Sequence, residues 1–258
     1  MYKGRGMDNI SKFSGKADSY QAARPGYPPE LAAYLADLGI KGSLVADVGA
    51  GTGIFSRFLL EELDCTVWAV EPNEEMRRKA EEELRDILHF FSVKGTAEKT
   101  GLDSQSVSFV TAAQAFHWFS PKAFRQECLR ILRPNGMAVL VWNHRVEETE
   151  FAEQNKEIFQ RFCPAFHGFS AGDGENKQTA MEVFFGDLPT CICLPHNLYY
   201  TKKKFIQRCL SSSYSLGPED VEFEAYLAAL ERLFERYAQN EILCVPNETR
   251  AYWGRLDS

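Results

Sequence analysis

The sequence lacks the features that mark several specialised classes of protein. No run approaches the roughly 20 consecutive apolar residues of a membrane span, and no apolar segment follows Lys3 and Arg5 as it would in a secretory signal. Basic residues are in the minority, since 29 Lys and Arg stand against 36 Asp and Glu, for a net charge of −7. An acidic chain is poorly suited to bind nucleic acid or an anionic membrane. We therefore expect a cytoplasmic protein with neither of these partners.

Paired cysteines are also missing. The seven cysteines are an odd number and are scattered, and one residue rather than two separates Cys191 from Cys193. No second pair follows, and the histidines show no metal-ligand spacing. We expect reduced, buried thiols and no metal. The 258 residues, 45% of them hydrophobic, are enough for one sizeable core or for a core with a lid.

The sequence does contain a glycine-rich stretch at residues 44–55, which reads LVADVGAGTGIF. Its first apolar residues predict a strand buried on both faces. Asp47 lies near the end of this strand, Gly49, Gly51 and Gly53 follow, and apolar positions at helical spacing come next. Glycines allow a sharp turn, partly at positive φ, and let a ligand lie against bare main chain. The pattern therefore predicts a strand, a glycine turn and a helix around a ligand.

This turn does not fit the dinucleotide fingerprint G-x-G-x-x-G, which needs a third glycine where Ile54 or Ser56 stands. The order Asp-x-Gly-x-Gly-x-Gly over residues 47–53 instead resembles motif I of the class I S-adenosylmethionine-dependent methyltransferases. The resemblance implies that Asp47 helps to organise the loop and the methionine end of the cofactor. It also implies that the turn lines the cofactor, through Gly49, Ala50, Gly51, Thr52 and Gly53.

A second acidic residue ends the next apolar strand. Residues 65–70 form that strand, and Glu71 follows Asp47 by 71 − 47 = 24 residues, which suits one strand–helix–strand crossover. A carboxylate about 20 residues past such glycines can accept hydrogen bonds from both hydroxyls of a ribose. We predict this role for Glu71.

The residues after Glu71 begin a helix. Asn73 is a suitable N-cap for a helix over residues 74–84. Met76 lies at its start, where it either covers one face of an adenine or packs in the core. Pro72 and Met76 are included in the predicted cofactor site.

A polar segment near the N-terminus carries two tyrosines and an arginine. Within residues 13–29, proline and glycine after Arg24 force an extended or turned path. The segment closely resembles the Y-x-x-x-R-P-x-Y-P leader of a methyltransferase branch that includes the trans-aconitate methyltransferase-like proteins, where it folds over the cofactor pocket. The resemblance implies that Arg24 pairs with the methionine carboxylate and that Tyr20 closes the site above the sulfonium. The alternative is that both residues only attach the leader to the body.

A loop at residues 94–102 follows the third predicted strand, and in the resembling family this loop borders the adenine. The resemblance implies that the small side chain of Ala97 leaves room for the ring. It also implies that Glu98 or a backbone group accepts a hydrogen bond from the exocyclic amine, which would discriminate adenine from other bases. Thr96 is included in this part of the site.

Residues 112–119, AAQAFHWF, follow the fourth predicted strand, and open α/β sheets bind ligands at the carboxyl ends of central strands. We expect this stretch beside the transferred methyl group. His117 is the candidate general base for a phenol, hydroxyl or amine, because its unperturbed pKa lies near neutrality; a carboxylate acceptor needs no base. Alternatively, His117 orients the substrate or caps a helix, and His144 is a second polar candidate. The predicted cofactor contacts are Ala113 and Gln114, and the predicted substrate contacts are His117, Trp118 and Phe119, with core packing as the competing role of the last two.

The alternation of strands and helices through residue 142 predicts an α/β fold: a doubly wound, seven-stranded, mostly parallel sheet of the Rossmann-like methyltransferase type. Residues 143–189 break this alternation with a helix at 147–162 and a glycine-rich stretch, and we predict a helical lid inserted after strand five. Strands at 191–200 and 242–253 complete the sheet. The predicted divisions are 1–142 for the N-terminal cap and cofactor-binding half, 143–189 for the lid or substrate insertion, and 190–258 for the remainder of the same domain.

These features predict an enzyme that transfers a methyl group from S-adenosyl-L-methionine to a small molecule by direct displacement, leaving S-adenosyl-L-homocysteine. The acceptor would be a carboxylate, a hydroxyl or an amine, and the protein a monomer or homodimer. A cofactor-binding protein without turnover and a protein methyltransferase are the alternatives. A nicotinamide oxidoreductase is disfavoured by Ile54 and Ser56. A nucleic-acid methyltransferase is disfavoured because no Asn/Asp-Pro-Pro-aromatic motif stands at residues 114–117.

Overall fold

The computed structural model of the protein describes residues 26–168, 175–212 and 214–256, so the predicted roles of Tyr20 and Arg24 lie outside the described residues. In these ranges the strands are β1 (Leu44–Val48), β2 (Thr66–Val70), β3 (Phe90–Val93), β4 (Val107–Ala113), β5 (Leu132–Arg145), β6 (Thr190–Pro195), β7 (Leu198–Tyr200), β8 (Leu243–Val245) and β9 (Asn247–Gly254). The helices are α1 (Pro29–Asp37), α2 (Ile54–Leu63), α3 (Glu74–Leu84), α4 (Pro121–Ile131), α5 (Glu150–Phe162), α6 (Glu175–Phe185), α7 (Lys202–Leu210) and α8 (Phe223–Tyr237), and Phe116–Trp118 form a 3-10 turn. None of these helices is both long enough and apolar enough to cross a membrane.

One seven-stranded sheet organises the fold, in the order β3-β2-β1-β4-β5-β9-β6. The pairs from β3 to β5 are parallel, and β9 runs antiparallel to both of its neighbours. The chain leaves β1 towards β2 on one side and returns to β4 on the other, which creates the switch point where open α/β sheets bind ligands. The predicted doubly wound, mostly parallel sheet is confirmed.

The C-terminal strands are shorter than the sequence pattern indicated. The predicted strand at 191–200 is divided into β6 and β7, and the one at 242–253 into β8 and β9. β7 and β8 pair with each other in a separate two-stranded ribbon. Pro195 ends β6 and Pro246 separates β8 from β9, and a proline cannot donate to a ladder of hydrogen bonds. The two prolines therefore mark where each predicted strand breaks.

Apolar layers cover both faces of the sheet. On one face, α1 and α2 pack on inward residues such as Val45, Val67 and Val139. On the other face, α4 and α6 contribute Phe124 and Phe184, whose rings stack 4.8 Å apart. Because apolar layers cover both faces of the sheet, the central strands are almost continuously apolar.

A third apolar cluster lies in the helices α5, α7 and α8, which are joined by aromatic contacts such as Phe159 to Tyr226. We call this the helical cluster. Within the predicted insertion at 143–189, α5 belongs to the helical cluster, whereas α6 packs on α4 beside the sheet. The predicted insertion therefore contributes to two different layers, and its role as a lid stays a prediction.

β5 is longer than β4 at its carboxyl end. The last pairing between them joins Ala113 to Val141, whereas β9 continues to pair with β5 as far as Arg145 opposite Asn247. Residues 142–145 thus project past β4 and pair as a strand with β9 alone. We call these four residues the ledge.

Candidate active site

Asp47 anchors the glycine turn from inside the protein. Its carboxylate is fully buried; Oδ2 accepts a hydrogen bond of 2.6 Å from the Ser56 hydroxyl, and Oδ1 accepts one of 3.0 Å from the Thr111 hydroxyl. Burial raises the pKa of Asp47 to about 6, although both hydroxyls oppose the shift. Since both oxygens accept from protein hydroxyls, the observed contribution of Asp47 is to tie β1 to α2 and β4 below the turn.

The glycine turn has a crowded side and an open side. At Gly49, where φ is +72°, a Cβ atom would lie 2.6 Å from Cβ of Ala115 and 2.9 Å from Cζ of Phe119. At Gly51, where φ is +58°, the nearest atom to a Cβ would be Sδ of Met76 at 3.9 Å. Because Gly49 has no side chain, the stretch after β4 can pack on the turn. Because Gly51 has none, its bare main chain is open to a ligand.

Glu71 joins the end of β2 to this turn. Its Oε2 accepts a hydrogen bond of 2.9 Å from the Gly51 amide, and Oε1 accepts one of 2.8 Å from the Asn73 amide. A carboxylate offers about four lone-pair sites, so two remain after these backbone donors. Burial raises the pKa of Glu71, while the two amides and the charge of Arg77 oppose the shift. The structure therefore brings together the two halves of the predicted nucleoside site.

Three more predicted residues belong to this turn or lie beside it. The Thr52 hydroxyl is buried and makes no hydrogen bond to a described residue, an arrangement that costs free energy unless a ligand satisfies it. Met76 is 4% exposed, and the Asn73 side chain caps its helix by accepting from the Met76 amide at 3.0 Å. The Ala50 amide donates to Val70 at 3.2 Å, which holds the turn against β2.

A buried carboxylate that the sequence analysis missed holds the loop at 94–102. Oε1 of Glu127 accepts hydrogen bonds of 2.8 Å and 2.6 Å from the amide and hydroxyl of Thr100. Arg130 donates to both oxygens, at 2.7 Å and 2.8 Å. The pKa of Glu127 is lowered to about 2, mainly by the hydrogen bonds from Arg130, although burial acts in the opposite direction. A Glu three residues before an Arg is common on exposed helices, so the sequence alone gave no signal for this role.

Within the same loop, Ala97 is buried against the sheet and Thr96 makes a backbone bridge to Lys99. Glu98 is exposed, and its Oε1 accepts a hydrogen bond of 3.0 Å from the amide of Ser120, which precedes α4. One oxygen of the predicted adenine acceptor is therefore used to hold the start of a helix. Its contact with an adenine stays a prediction.

The stretch after β4 begins with a strained residue. Gln114 has a φ of +57°, which is uncommon for a side chain of this size. Its amide donates to Val141 at 2.8 Å, and its Nε2 donates to the carbonyl of Asn143 on the ledge at 3.2 Å. Ala113 just before it is partly buried against the α1 and α2 layer. Gln114 thus links the carboxyl end of β4 to the ledge.

The aromatic residues that follow divide between core and surface. Phe119 is half-buried and packs edge-on against Phe124, with ring centroids 4.9 Å apart. His117 and Trp118 are exposed, and their rings lie 4.7 Å apart. Phe119 therefore has a packing role in addition to its place over the turn, whereas His117 and Trp118 are accessible to an acceptor.

No group of three His, Cys, Asp or Glu that could hold a metal ion occurs among the described residues. All seven cysteines are free thiols, but the predicted burial is wrong for Cys191, Cys193 and Cys244, which are exposed.

Comparison with known proteins identifies the family. A sequence profile described as a methyltransferase domain matches residues 46–140. An uncharacterised methyltransferase of Geobacillus sp. is 32% identical over 191 residues, which cover 69% of this chain and 86% of that protein. The chain therefore belongs to the class I S-adenosylmethionine-dependent methyltransferases.

Two further similarities define how far the relationship extends. An uncharacterised methyltransferase of Mycobacterium tuberculosis is 39% identical over 155 residues, which cover 60% of this chain and 61% of that protein. The chain thus spans less than two thirds of that relative. The solved structure of a candidate type II methyltransferase from Anaeromyxobacter dehalogenans matches 90% of this chain and 98% of its own with a TM-score of 0.61. At 20% identity this last similarity shows the fold alone.

Proposed function

We propose that this protein transfers a methyl group from S-adenosyl-L-methionine to a small-molecule acceptor. The observation that carries the proposal is the hydrogen bond between the Gly51 amide and Oε2 of Glu71, 2.9 Å long. It puts the bare main chain of the turn beside a carboxylate that still has lone pairs for a ribose diol. Both features lie at the switch point of the sheet, where the family binds its cofactor.

The residues present fit this cofactor. Glu71 would accept from the ribose hydroxyls, and the Thr52 hydroxyl, buried and without a hydrogen bond to a described residue, would gain a partner. Met76 and Ala97 would flank the adenine with apolar surface, and the turn supported by Asp47 would hold the methionine end. When bound, S-adenosyl-L-methionine supplies a methyl group on a positively charged sulfur, which an acceptor atom displaces directly.

On the acceptor side, the chain mainly has to align the reacting atoms and exclude water. His117 is exposed beside Trp118 and would accept a proton from a phenol, hydroxyl or amine. An ionised carboxylate would need no such base. The net charge of −7 favours a small acceptor over nucleic acid.

Calorimetric titration with S-adenosyl-L-homocysteine tests the cofactor site. We expect wild-type protein to bind and Glu71→Gln to bind at least tenfold more weakly, because a charge-assisted hydrogen bond to a ribose hydroxyl is lost. Glu82→Gln, which changes an exposed glutamate of the neighbouring helix α3, is the matched control and should bind like wild type. Equal affinity of the two variants, or no heat with wild-type protein, would contradict the proposal.

A screen of phenols, amines, alcohols and carboxylates with methyl-labelled cofactor tests the acceptor class. Labelled small-molecule product is expected. Label found only on an added protein, with none on any small molecule, would instead establish a protein methyltransferase.

A further inference from the structure

Three side chains form a chain of hydrogen bonds on the face of the sheet that α1 and α2 cover. Asn143 on the ledge lies directly opposite Thr249 on β9. Each is two residues from a side chain buried on that face, Val141 and Ala251 respectively, so both lie on the same side. The Thr249 hydroxyl donates a hydrogen bond of 2.6 Å to Oδ1 of Asn143 and lies 3.2 Å from Nδ1 of His196, which follows β6. We call His196, Thr249 and Asn143 the ledge network.

Asn143 connects this network to two other segments. Its Nδ2 donates a hydrogen bond of 3.1 Å to the carbonyl of Gly26, which precedes α1. Its own carbonyl accepts one of 3.2 Å from Nε2 of Gln114. Since the ledge pairs as a strand with β9 alone, the side-chain contacts with Thr249 and Gly26 add to what fixes Asn143. The position of the carbonyl that holds Gln114 therefore depends on both contacts.

The hydrogen bonds of the ledge network have one consistent direction. A hydroxyl has a single proton, and Oδ1 of Asn143 can only accept, so the Thr249 proton lies on that contact. The Thr249 oxygen must then accept from His196, whose Nδ1 carries a proton. The opposite orientation of the Asn143 amide would set Oδ1 against the Gly26 carbonyl, two acceptors without a proton between them. The network therefore specifies the Nδ1–H form of His196.

Burial makes this arrangement sensitive to the loss of one member. Thr249 is fully buried, so no water replaces a lost partner of its hydroxyl. His196 is half-buried, and burial lowers its pKa, although the charge of Glu30 opposes the shift. The ring is therefore neutral above pH 7, and a neutral imidazole has one donor nitrogen and one acceptor nitrogen. The network thus holds one arrangement of protons and needs no charge.

Gln114 is the residue through which the ledge network reaches the candidate active site. Its φ of +57° costs free energy and persists only where the surroundings fix it. The next residue, Ala115, packs against Gly49 in the glycine turn, whereas the Gln114 side chain is bound to the ledge. Gln114 therefore lies between the turn on the β1 side of β4 and the ledge on the β5 side. A shift of the ledge would move a residue beside the proposed position of methyl transfer.

We propose that the ledge network positions Gln114 for methyl transfer, with Thr249 and His196 as positioning residues. This inference rests on the proposed function. Neither residue belongs to the glycine turn or to the stretch after β4, so each acts through Asn143. A displacement of about 1 Å near the reacting atoms can lower a rate by about 10²-fold. Loss of the Thr249 hydroxyl should therefore slow methyl transfer and leave the glycine turn, on the other side of β4, intact.

Nitrogen-15 NMR tests the network without turnover. In wild-type protein with S-adenosyl-L-homocysteine at pH 8, we expect His196 to carry its proton on Nδ1 and not on Nε2. Thr249→Ser keeps the hydroxyl and should keep this form. Thr249→Val removes the acceptor, so it should lower the population of the Nδ1–H form and shift the side-chain amide signal of Gln114. A proton on Nε2 in wild type, or an unchanged Gln114 signal in Thr249→Val, would overturn the proposal.

Labelled-methyl transfer gives the second readout, with the acceptor that takes the most label in the screen described above. The kcat is expressed per S-adenosyl-L-homocysteine site measured by calorimetry, so that unfolded protein is not counted. We expect Thr249→Val to lower kcat at least about tenfold, and Thr249→Ser less than about threefold although it loses a buried methyl group. The affinity for S-adenosyl-L-homocysteine should change less than about threefold in both. Thr190→Val, at an exposed position of β6, is the control and should keep the wild-type kcat.

A double-mutant cycle shows whether Thr249 acts through Gln114. Adding Thr249→Val to Gln114→Ala should lower kcat less than about twofold further, whereas independent effects would multiply. Should Thr249→Val not fold, His196→Leu removes the other partner of the same hydroxyl and enters the same cycle. Multiplied losses, or equal losses in Thr249→Val and Thr249→Ser, would overturn this inference and leave the methyltransferase proposal standing. If wild-type protein binds no S-adenosyl-L-homocysteine or labels no acceptor, the proposed function fails and this inference fails with it.

Discussion

The Ser56 hydroxyl donates a hydrogen bond of 2.6 Å to Oδ2 of Asp47, and so joins the first turn of α2 to the end of β1 beneath the glycine turn. This contact and the one from Thr111 replace water around a carboxylate that is fully buried. The replacement is incomplete, since burial still raises the pKa of Asp47 from 3.8 to about 6. The turn is thus supported at the expense of stability near neutral pH.

Asp47→Asn should reveal this destabilisation as a pH-dependent difference in the free energy of unfolding. Because the pKa is higher in the folded protein, the folded state binds the proton more tightly between pH 4 and 6. The contribution of Asp47 to the free energy of unfolding therefore falls as the pH rises through this window, by up to about 3 kcal/mol. Between pH 4 and pH 7, the free energy of unfolding of Asp47→Asn should rise by about 1–3 kcal/mol relative to that of wild type, as measured by urea denaturation. Asp37→Asn, at an exposed position of α1, is the control, and a flat difference for Asp47→Asn would contradict the expectation.

Gly49→Ala and Gly51→Ala form a matched pair. Both positions have a positive φ and share a strain of about 1–2 kcal/mol for a residue with a Cβ. Only Gly49→Ala adds an overlap with Ala115 and Phe119, so it should cost at least about 1–3 kcal/mol more in urea denaturation. Equal losses would show that residues 115–119 do not pack on the turn as described.

Glu127→Gln should weaken the attachment of the loop at 94–102 to α4. The variant keeps the volume of the side chain but weakens the contacts with Thr100 and Arg130, and we expect a loss of about 1–2 kcal/mol at pH 7 after allowance for solvent screening. The pKa of Glu127 is lowered to about 2, so this stabilisation is complete above pH 4.5 and disappears as the pH falls towards 2. Wild type and Glu127→Gln should therefore converge in stability at low pH. Glu61→Gln, on the surface of α2, should show no such convergence.

His117→Asn should distinguish acceptors that need a base from those that do not. If the methylated atom carries a proton and His117 accepts it, this substitution is expected to lower kcat by about 10²-fold or more. Methylation of an ionised carboxylate should be unaffected by the same change. The measurement is labelled-methyl transfer to a phenol and to a carboxylate by the same preparation. A similar loss with both acceptors would assign His117 to substrate orientation and not to proton transfer.

The half of the molecule that carries the proposed cofactor site was predictable because its signals are local in the sequence. The spacing of Gly49, Gly51 and Gly53 and the position of Glu71 after the second strand define geometry within one strand–helix–strand unit. The same spacing also predicted that the turn and the carboxylate would meet. Pro195 and Pro246 also mark the two strand breaks in the sequence. The apolar residues on either side of these prolines nevertheless led to the prediction of two long strands.

Roles that depend on distant segments were not predictable. Glu127 acts on Thr100 across a gap of 27 residues, and on its own helix it resembles an ordinary surface ion pair with Arg130. Burial and the charge of Arg208 on α7 lower the pKa of Arg145 at the end of β5, although the two residues are far apart in the sequence. Neither relationship follows from a periodic pattern, since each depends on where a turn or a helix is placed in three dimensions.

The ledge and the glycine turn are supported by different parts of the sheet. The glycine turn is supported by the parallel strands β1, β2 and β4, whereas residues 142–145 are supported by the antiparallel ladder with β9. Under the proposed function, descendants of this scaffold would acquire new acceptors by changes on the β9 side of the sheet, while the turn that holds the nucleoside is inherited unchanged.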